Sequence, residues 1–572
     1  MAAYDGDRVV GLVRGLVDRS RHVGTNVTLY TGPELGRLAE SSGQRNVFGG
    51  YNWDTRVRNR SAKFTVIVGS EKVQPPKMGP EQTETLRGMD REFTRVFGGE
   101  FGGKSFAGHV NQLPVDYVYR VMGSGDDPKF TFNCHLLVTT KQRANHHVPY
   151  MWGKMYAERD LVPGAEDLYI LMVPDIHTGV FGRFYGFPES NVTVGIGCDY
   201  MGEAKKGMLR MAMYLAKQRG YLGIHAGTKV VRAKNARTGG FTRYGVAILG
   251  NSGTGKTTNV GHTHFLDQAG EQSLVVQDDF VGLRLADGRV LGTEQGLFLK
   301  TDLDADDVLL RPAVESPAFV SQNLYVDHLG EIQYLEEDLC ANGRGILPIR
   351  ALPRDRRHDS IDLPALDELD ALCIIFNTRR NTVCPILQEL TPEQSVAYFM
   401  LGESIETAAG DPSKAGQSVR EVGTNPFIVG DPAEEGNIFY DYLKRYEGKV
   451  RSFLLNTGGV GEVPNPESPL VPRRAANRPW KNGIGYVTRA LFRDSGEWDA
   501  DPDYGTRVLI SGVTDEHGKI YDMKRFDPRK LYGAAEREEL VRTLNRERVA
   551  YLERFPKLDP AILKALAATH RL

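Results

Sequence analysis

Gly250-Asn251-Ser252-Gly253-Thr254-Gly255-Lys256-Thr257-Thr258 carries every fixed residue of a phosphate-binding loop, G-x-x-x-x-G-K-[ST]. Such a loop constrains the fold around it, because it works only between a buried strand and a helix. The flanks agree: Tyr244-Gly245-Val246-Ala247-Ile248-Leu249 reads as a buried strand, and the chain from Lys256 to about Leu266 reads as a helix. Backbone N–H groups of the loop surround a polyphosphate, Lys256 reaches its outer phosphates, and the Thr257 hydroxyl reaches a divalent cation. The bland alternative is a glycine-rich turn with a chance lysine, and the strand and helix signals weigh against it.

The rest of the composition is that of a large enzyme. The chain has 572 residues, enough for two to four ordinary domains, and its 41% hydrophobic and 25% charged residues are normal for a sizeable core. A net charge of -2 gives no electrostatic reason to expect a nucleic-acid or membrane partner. The cysteines, Cys134, Cys198, Cys340, Cys373 and Cys384, are scattered and form no C-x-x-C, so neither a zinc site nor a disulfide framework is indicated. The N-terminus has no signal-peptide apolar region, and no apolar run approaches a membrane span. A cytoplasmic location is the default expectation.

Strands are expected at Phe64–Val68, Leu168–Val173 and Leu372–Phe376, and a helix from Lys206 to Arg219 ended by Gly220. The basic, glycine-containing stretch 232–242 reads as a loop near a domain boundary, and 464–479 as a long surface loop inside the second domain. A charged helix is expected from about Ala534.

Four further groups could carry chemistry. The apolar run Leu274-Val275-Val276 ends in Gln277-Asp278-Asp279, about twenty residues after the phosphate loop, where an acidic residue commonly holds the nucleotide's metal. Lys205 and Lys206 are expected at a helix start, where positive potential opposes a charged amine; the choice is between a solvated basic turn and a neutral amine that coordinates a metal or moves a proton. His225, alone among small residues, reads as structural more often than as a ligand. The pairs His146-His147 and His262/His264 lack the i, i+4 spacing of a two-histidine metal site and read as structural.

Together these residues resemble the ATP-dependent phosphoenolpyruvate carboxykinase family. That family reads G-T-E-Y-A-G-E-x-K-K-G, then a histidine, then G-L-S-G-T-G-K-T-T, then a strand with D-D. The counterparts are Gly197-Cys198-Asp199-Tyr200-Met201-Gly202-Glu203-Ala204-Lys205-Lys206-Gly207, His225, residues 250–258 and Asp278-Asp279. Asn59-Arg60-Ser61-Ala62-Lys63 is similar to G-R-S-P-K-D-K. The run Asn342-Gly343-Arg344-Gly345-Ile346-Leu347-Pro348-Ile349 is similar to E-N-T-R-x-x-Y-P-I. Leu390-Thr391-Pro392-Glu393-Gln394 resembles a helix start after a core strand, and Leu455-Asn456-Thr457-Gly458 resembles L-V-N-T-G.

The resemblance implies an α/β, two-domain phosphoenolpyruvate carboxykinase-like fold. Residues 1–240 would form a substrate-binding domain and 241–572 a phosphate-loop mononucleotide- and metal-binding domain, with the active site in the cleft between them. It implies that Arg60, Tyr200, Gly202, Lys206 and Arg344 hold the acid substrate. Residues Gly250, Asn251, Ser252, Gly253, Thr254, Gly255, Lys256, Thr257 and Thr258, with Lys300, Arg344 and Thr488, would hold ATP. Lys206, His225 and Asp279 would bind Mn²⁺, and Thr257 the Mg²⁺ of the nucleotide. Arg60, Lys206, Lys256, Asp278 and Arg344 would be catalytic. The implied reaction turns oxaloacetate and ATP into phosphoenolpyruvate, CO₂ and ADP, in a monomer or small homo-oligomer. The rival functions are a small-molecule kinase acting on another acid without decarboxylation, and a nucleotide-binding regulator without turnover.

The chain departs from the family pattern at three places. A family tryptophan after N-T-G is Gly459, and the base-contacting arginine aligns with Asn482 beyond the 464–479 loop. The family's M-H-C-S-A-N-V-G becomes Ile224-His225-Ala226-Gly227-Thr228-Lys229-Val230. Weak discrimination among nucleotide bases is therefore expected.

Overall fold

In the computed structural model, the described residues are 6–57, 65–74, 97–98, 100–101, 104–176, 182–251, 253–303, 310–336, 338–340, 342–405, 417–465 and 471–567. They form a mixed α/β protein of two compact units, which share the chain in an interrupted way. The first comprises 1–223, 293–352 and 427–431, and the second 224–292, 353–426 and 432–572. A single cut at 240 therefore does not divide the chain. The stretch 232–242 is no boundary either: Ala226–Lys234 and Phe241–Gly250 are antiparallel strands paired from Ala226–Leu249 to Lys234–Phe241, and residues 235–240 turn between them inside the second unit.

The first unit is built on a seven-stranded mixed sheet. Its order is Val27–Leu29, Val115–Met122, Phe132–Thr139, Glu166–Val173, Val192–Ile196, Arg183–Phe187, Thr65–Ile67. Phe132–Thr139 is buried along its whole length, as expected of a strand covered on both faces. The helix Gly6–Arg19 covers part of one face with Val9, Val13, Leu16 and Val17, spaced to fall on one stripe. The helix Met201–Gln218 also packs against the sheet; Gly207 lies over Ile170 and Thr193. A second sheet of this unit runs Gly296–Lys300, Arg344–Pro348, Val320–Gln322, Tyr51–Trp53, Gln44–Arg45.

The second unit is centred on an eight-stranded sheet in the order Gln272–Gln277, Ala226–Lys234, Phe241–Gly250, Ala371–Thr378, Val450–Asn456, Leu387–Leu390, Arg507–Ser511, Glu497–Ala500. Three central strands are parallel, with Gly250 opposite Asn377 and Asn377 opposite Leu455. Their carboxyl ends therefore lie side by side, where open α/β sheets bind ligands. The helix Pro392–Leu401 begins at Thr391, whose hydroxyl accepts from Gln394 N while the Gln394 side chain returns to Thr391 N. The charged C-terminal stretch is the helix Ala534–Leu552. The five cysteines are free and buried. No helix among the described residues is long and apolar enough to cross a membrane.

Candidate functional site

The phosphate loop leaves the central strand at Gly250, and a short helix, Lys256–Gly261, follows. Gly253 and Gly255 have φ of +84° and +85°, a left-handed conformation that side chains resist, and Gly255 caps the helix. The loop is tied at three points. Thr254 N and Oγ1 donate to Asn251 O at 3.1 and 2.8 Å, Asn251 Nδ2 donates to Gly402 O at 2.7 Å, and Thr457 Oγ1 donates to Thr254 O at 2.9 Å. Ser252 lies outside the described residues. The helix stops at Gly261 rather than running to Leu266, because His262 is extended and His264 and Phe265 both have positive φ.

Asp278 and Asp279 follow the strand Gln272–Gln277 directly and turn back to the loop. Lys256 Nζ lies 3.0 Å from Asp278 Oδ1 and 3.2 Å from Asp279 Oδ1, and Thr257 Oγ1 donates to Asp278 Oδ2 at 3.1 Å. Burial disfavours the Lys256 charge, but the two carboxylates outweigh it and hold the ammonium well above the usual lysine range. Asp279 has φ of +94°, an uncommon conformation for an aspartate.

His225 completes this cluster. A carbonyl only accepts, so the 2.7 Å bond from Nδ1 to Thr424 O places a proton on Nδ1. Nε2 then faces Asp279 Oδ1 at 2.5 Å. A bare nitrogen lone pair and a carboxylate oxygen repel at that distance, so a proton or another cation must lie between them. An imidazole oriented through Nδ1, with its Nε2 shared with a carboxylate, suits a divalent metal. No group of three His, Cys, Asp or Glu side chains able to hold a metal occurs among the described residues. His225 and Asp279 would therefore need a further ligand of another kind.

Thr488 does not turn toward the loop. It is buried on the helix Trp480–Phe492, within 2.7 Å of His264 Nδ1, and donates to Ile484 O at 2.9 Å. His264 Nε2 is 2.9 Å from Lys229 Nζ, which also donates to Asn259 O and His262 O at 3.2 and 2.6 Å, the end of the loop's helix. Burial pushes both Lys229 and His264 well below their ordinary values. His146 is structural in the same sense, 2.5 Å from Asp116 through Nδ1. The Lys229–His264–Thr488 chain was missed from the sequence, although Lys229 stands among the recognised departures.

In the first unit, Tyr200 is buried at the N-cap of the helix Met201–Gln218, and Gly202 lies in its first turn beside the Tyr200 ring. The helix starts five residues before the expected Lys206. Lys205 and Lys206 therefore sit in its second turn, beyond the reach of a terminal dipole. The two lysines differ. Lys205 is wholly buried, 3.1 Å from Glu294 and above the Phe298 ring, whereas Lys206 is partly exposed over Phe427. The helix meets the second sheet of the unit through Met201 N, which donates to Gln322 Oε1 at 3.2 Å. On that sheet Arg344 stands between Lys300 on one neighbouring strand and Gln322 on the other. Arg344 is buried, with Nη1 donating to Gly343 O, and Lys300 pairs with Asp302 at 3.0 Å. Arg60 lies outside the described residues.

The sequence model of the phosphoenolpyruvate carboxykinase family matches residues 116–467, more than half of the chain. A protein of Aeropyrum pernix named phosphoenolpyruvate carboxykinase (ATP) is 30% identical over 374 residues, covering 65% of this chain and 69% of that protein. One of the same name from Novosphingobium aromaticivorans is 25% identical, covering 62% and 61%. A glycosomal phosphoenolpyruvate carboxykinase (ATP) of Trypanosoma cruzi is 26% identical, covering 46% and 52%.

Proposed function

The chain belongs to the phosphoenolpyruvate carboxykinase family, and from that premise we propose that it converts oxaloacetate and ATP into phosphoenolpyruvate, CO₂ and ADP. The observation that carries this is Lys256 held between Asp278 and Asp279, with Thr257 on Asp278 and His225 on Asp279. A phosphate-binding lysine is held here by the two carboxylates expected at the cations of the reaction, and the ammonium stands in for the positive charge they would otherwise face.

The roles follow from charge and geometry. Polyphosphate oxygens would draw Lys256 away from the carboxylates and onto the outer phosphates. Thr257 and Asp278 would then hold the Mg²⁺ carried by ATP, and His225 and Asp279, with Lys206, the Mn²⁺. Bound there, the metals supply Lewis-acid stabilisation of negative charge. Tyr200, Gly202, Lys206 and Arg60 would orient the acid so that its carboxylate departs as CO₂ and the negative charge left on the enolate oxygen meets cations. That oxygen attacks the γ-phosphate in line, and Arg344, Lys300 and Lys256 offset the charge that accumulates on the transferring group.

The test is labelled oxaloacetate with ATP and Mn²⁺, following CO₂ release and phosphoenolpyruvate yield together. Equal yields of both are expected. Phosphorylation of some other acid with no CO₂ would sink the carboxykinase and leave a small-molecule kinase in its place.

A further inference from the structure

The carboxyl edge of the central sheet is acidic on one side of the phosphate loop, at Asp278 and Asp279, and basic on the other. On the basic side the strand Ala371–Thr378 runs out into Arg379 and Arg380. Arg380 is consumed internally: its guanidinium donates to Glu403 at 2.8 Å and Ser418 at 2.9 Å. Arg379 is not. Its Nε is buried without a hydrogen-bond partner, as is that of Arg380, but unlike Arg380 it has no carboxylate, and its charge is disfavoured first by burial and then by Arg478. Among the described residues no carboxylate comes within ion-pairing distance of either guanidinium. Glu462 is the acidic group that feels Arg478, and its carboxylate is taken by Asn381 Nδ2 at 3.0 Å.

Gly459 explains how Arg478 reaches this place. Thr457 holds the phosphate loop at Thr254, and Gly459 N, two residues on, donates to Arg380 O at 2.9 Å. Gly459 has φ of +155°, and a side chain there would run into Asn477 O at 2.7 Å and Arg478 Cγ at 3.2 Å. The end of the proline-rich loop thus lies on a glycine that must stay bare, and the exposed Arg478 side chain starts against Gly459, whose N–H and that of Thr457 bond the strand end on either side of Arg379, at Arg380 O and Thr378 O.

Two guanidinium groups without an ion pair among the described residues, on segments that meet at the strand ends beside a phosphate loop, call for an anion. We propose that Arg379 and Arg478 form a second cationic contact for the polyphosphate of the nucleotide, opposite the acidic side of the loop. This rests on the nucleotide assignment of residues 250–258. It gives the loop 464–479 a purpose, because the triphosphate is gripped from both sides whatever base it carries.

The experiment is calorimetric ATP binding to the full chain as wild type, Arg379→Gln, Arg478→Gln, the double variant and Lys256→Ala. Each single arginine variant should bind ATP about tenfold or more weaker. The double variant should lose less than the product of the two, because both contact one ligand. GTP should suffer equally, and Arg478→Lys should recover part of the loss. Thermal melts accompany each variant, and protection of Arg478 from phenylglyoxal by ATP in the wild type supplies a readout that needs no variant. Unchanged ATP affinity in both arginine variants, with Lys256→Ala impaired, overturns the proposal and leaves the loop assignment standing. Unchanged affinity in Lys256→Ala overturns the assignment on which it rests. A loss confined to ATP makes the arginines base readers, and a loss of inorganic pyrophosphate binding with ATP affinity intact makes them a separate anion site; either outcome overturns it.

Discussion

Lys300 and Arg344 stand directly opposite one another on neighbouring antiparallel strands, two cations facing across one sheet. Directly opposed like charges destabilise a strand pair by about 0.2–1 kcal/mol. Asp302 pairs with Lys300 at 3.0 Å, and the buried Arg344 donates to the Gly343 carbonyl. An anionic ligand here would relieve the opposition. Phosphoenolpyruvate should therefore raise the melting temperature of the wild type, and Arg344→Gln should abolish most of that shift. The same variant should lower kcat by roughly 10³-fold, the scale of an arginine that offsets charge in phosphoryl transfer. A full ligand-induced shift in Arg344→Gln would remove Arg344 from the substrate.

The buried Glu403 makes a prediction about acid stability. Burial raises its pKa, but Arg380 and Arg548 outweigh burial and hold the carboxyl well below its ordinary value. Arg380 Nη2 lies at 2.8 Å and Arg548 Nε at 3.1 Å. A depressed folded value means that the stabilisation is complete above the unfolded value of about 4.3 and is lost as pH falls below it toward the folded one. Glu403→Gln, which strands buried guanidinium groups, should cost about 3–5 kcal/mol at neutral pH. Denaturant melts of both proteins from neutral pH down to about 3 should show the gap narrowing only below about 4.3. A gap independent of pH would deny the charge its role.

Lys206 can be separated from its neighbour by substitution. If Lys206 is a ligand of Mn²⁺, it must bind as a neutral amine, and a guanidinium cannot replace it. Lys206→Arg should retain the fold, because the side chain is partly exposed over Phe427, but should lose most Mn²⁺-dependent turnover. Lys205→Met should instead lower stability, since it removes the buried ion pair with Glu294 at 3.1 Å. Manganese titrations monitored by paramagnetic resonance, beside thermal melts, distinguish the two. Near-normal Mn²⁺ affinity in Lys206→Arg would exclude coordination by this lysine.

What was legible in the sequence was local. The phosphate loop, its entering strand and the strand before Asp278 were written in contiguous residues whose spacing dictates their geometry, and the helix start at Thr391 was read from the family resemblance. The start of the helix carrying Lys206 was not. Tyr200 gives no side-chain cap, and packing of Met201 and Ala204 into the interior extends the helix toward the N-terminus. The division into units was hidden because 293–352 returns to the first unit, a matter of long-range pairing such as Gly296 with Pro348. Lys229 meets His264 across 35 residues and His264 meets Thr488 across 224, and no local pattern announces that. At Lys206 and His225 a structural role and a ligand role look alike in one dimension, and only the family resemblance points to the ligand role.

Asp279 offers a test that separates strain from chemistry. Its φ of +94° is one that glycine adopts freely and alanine does not. Its carboxylate meets His225 at 2.5 Å and Lys256 at 3.2 Å. Asp279→Gly and Asp279→Ala remove those contacts alike, so the difference between them isolates the backbone. The glycine variant should be the more stable by about 1–3 kcal/mol, the usual cost of a residue held in a sparsely populated region. Both should lose Mn²⁺-dependent activity to the same extent, because both lack the carboxylate that shares a cation with His225. Chemical denaturation gives the first quantity and a manganese-dependent rate the second. If the alanine variant equals the glycine variant in stability, Asp279 is not strained. If either one keeps its manganese dependence, the ion is held without this carboxylate.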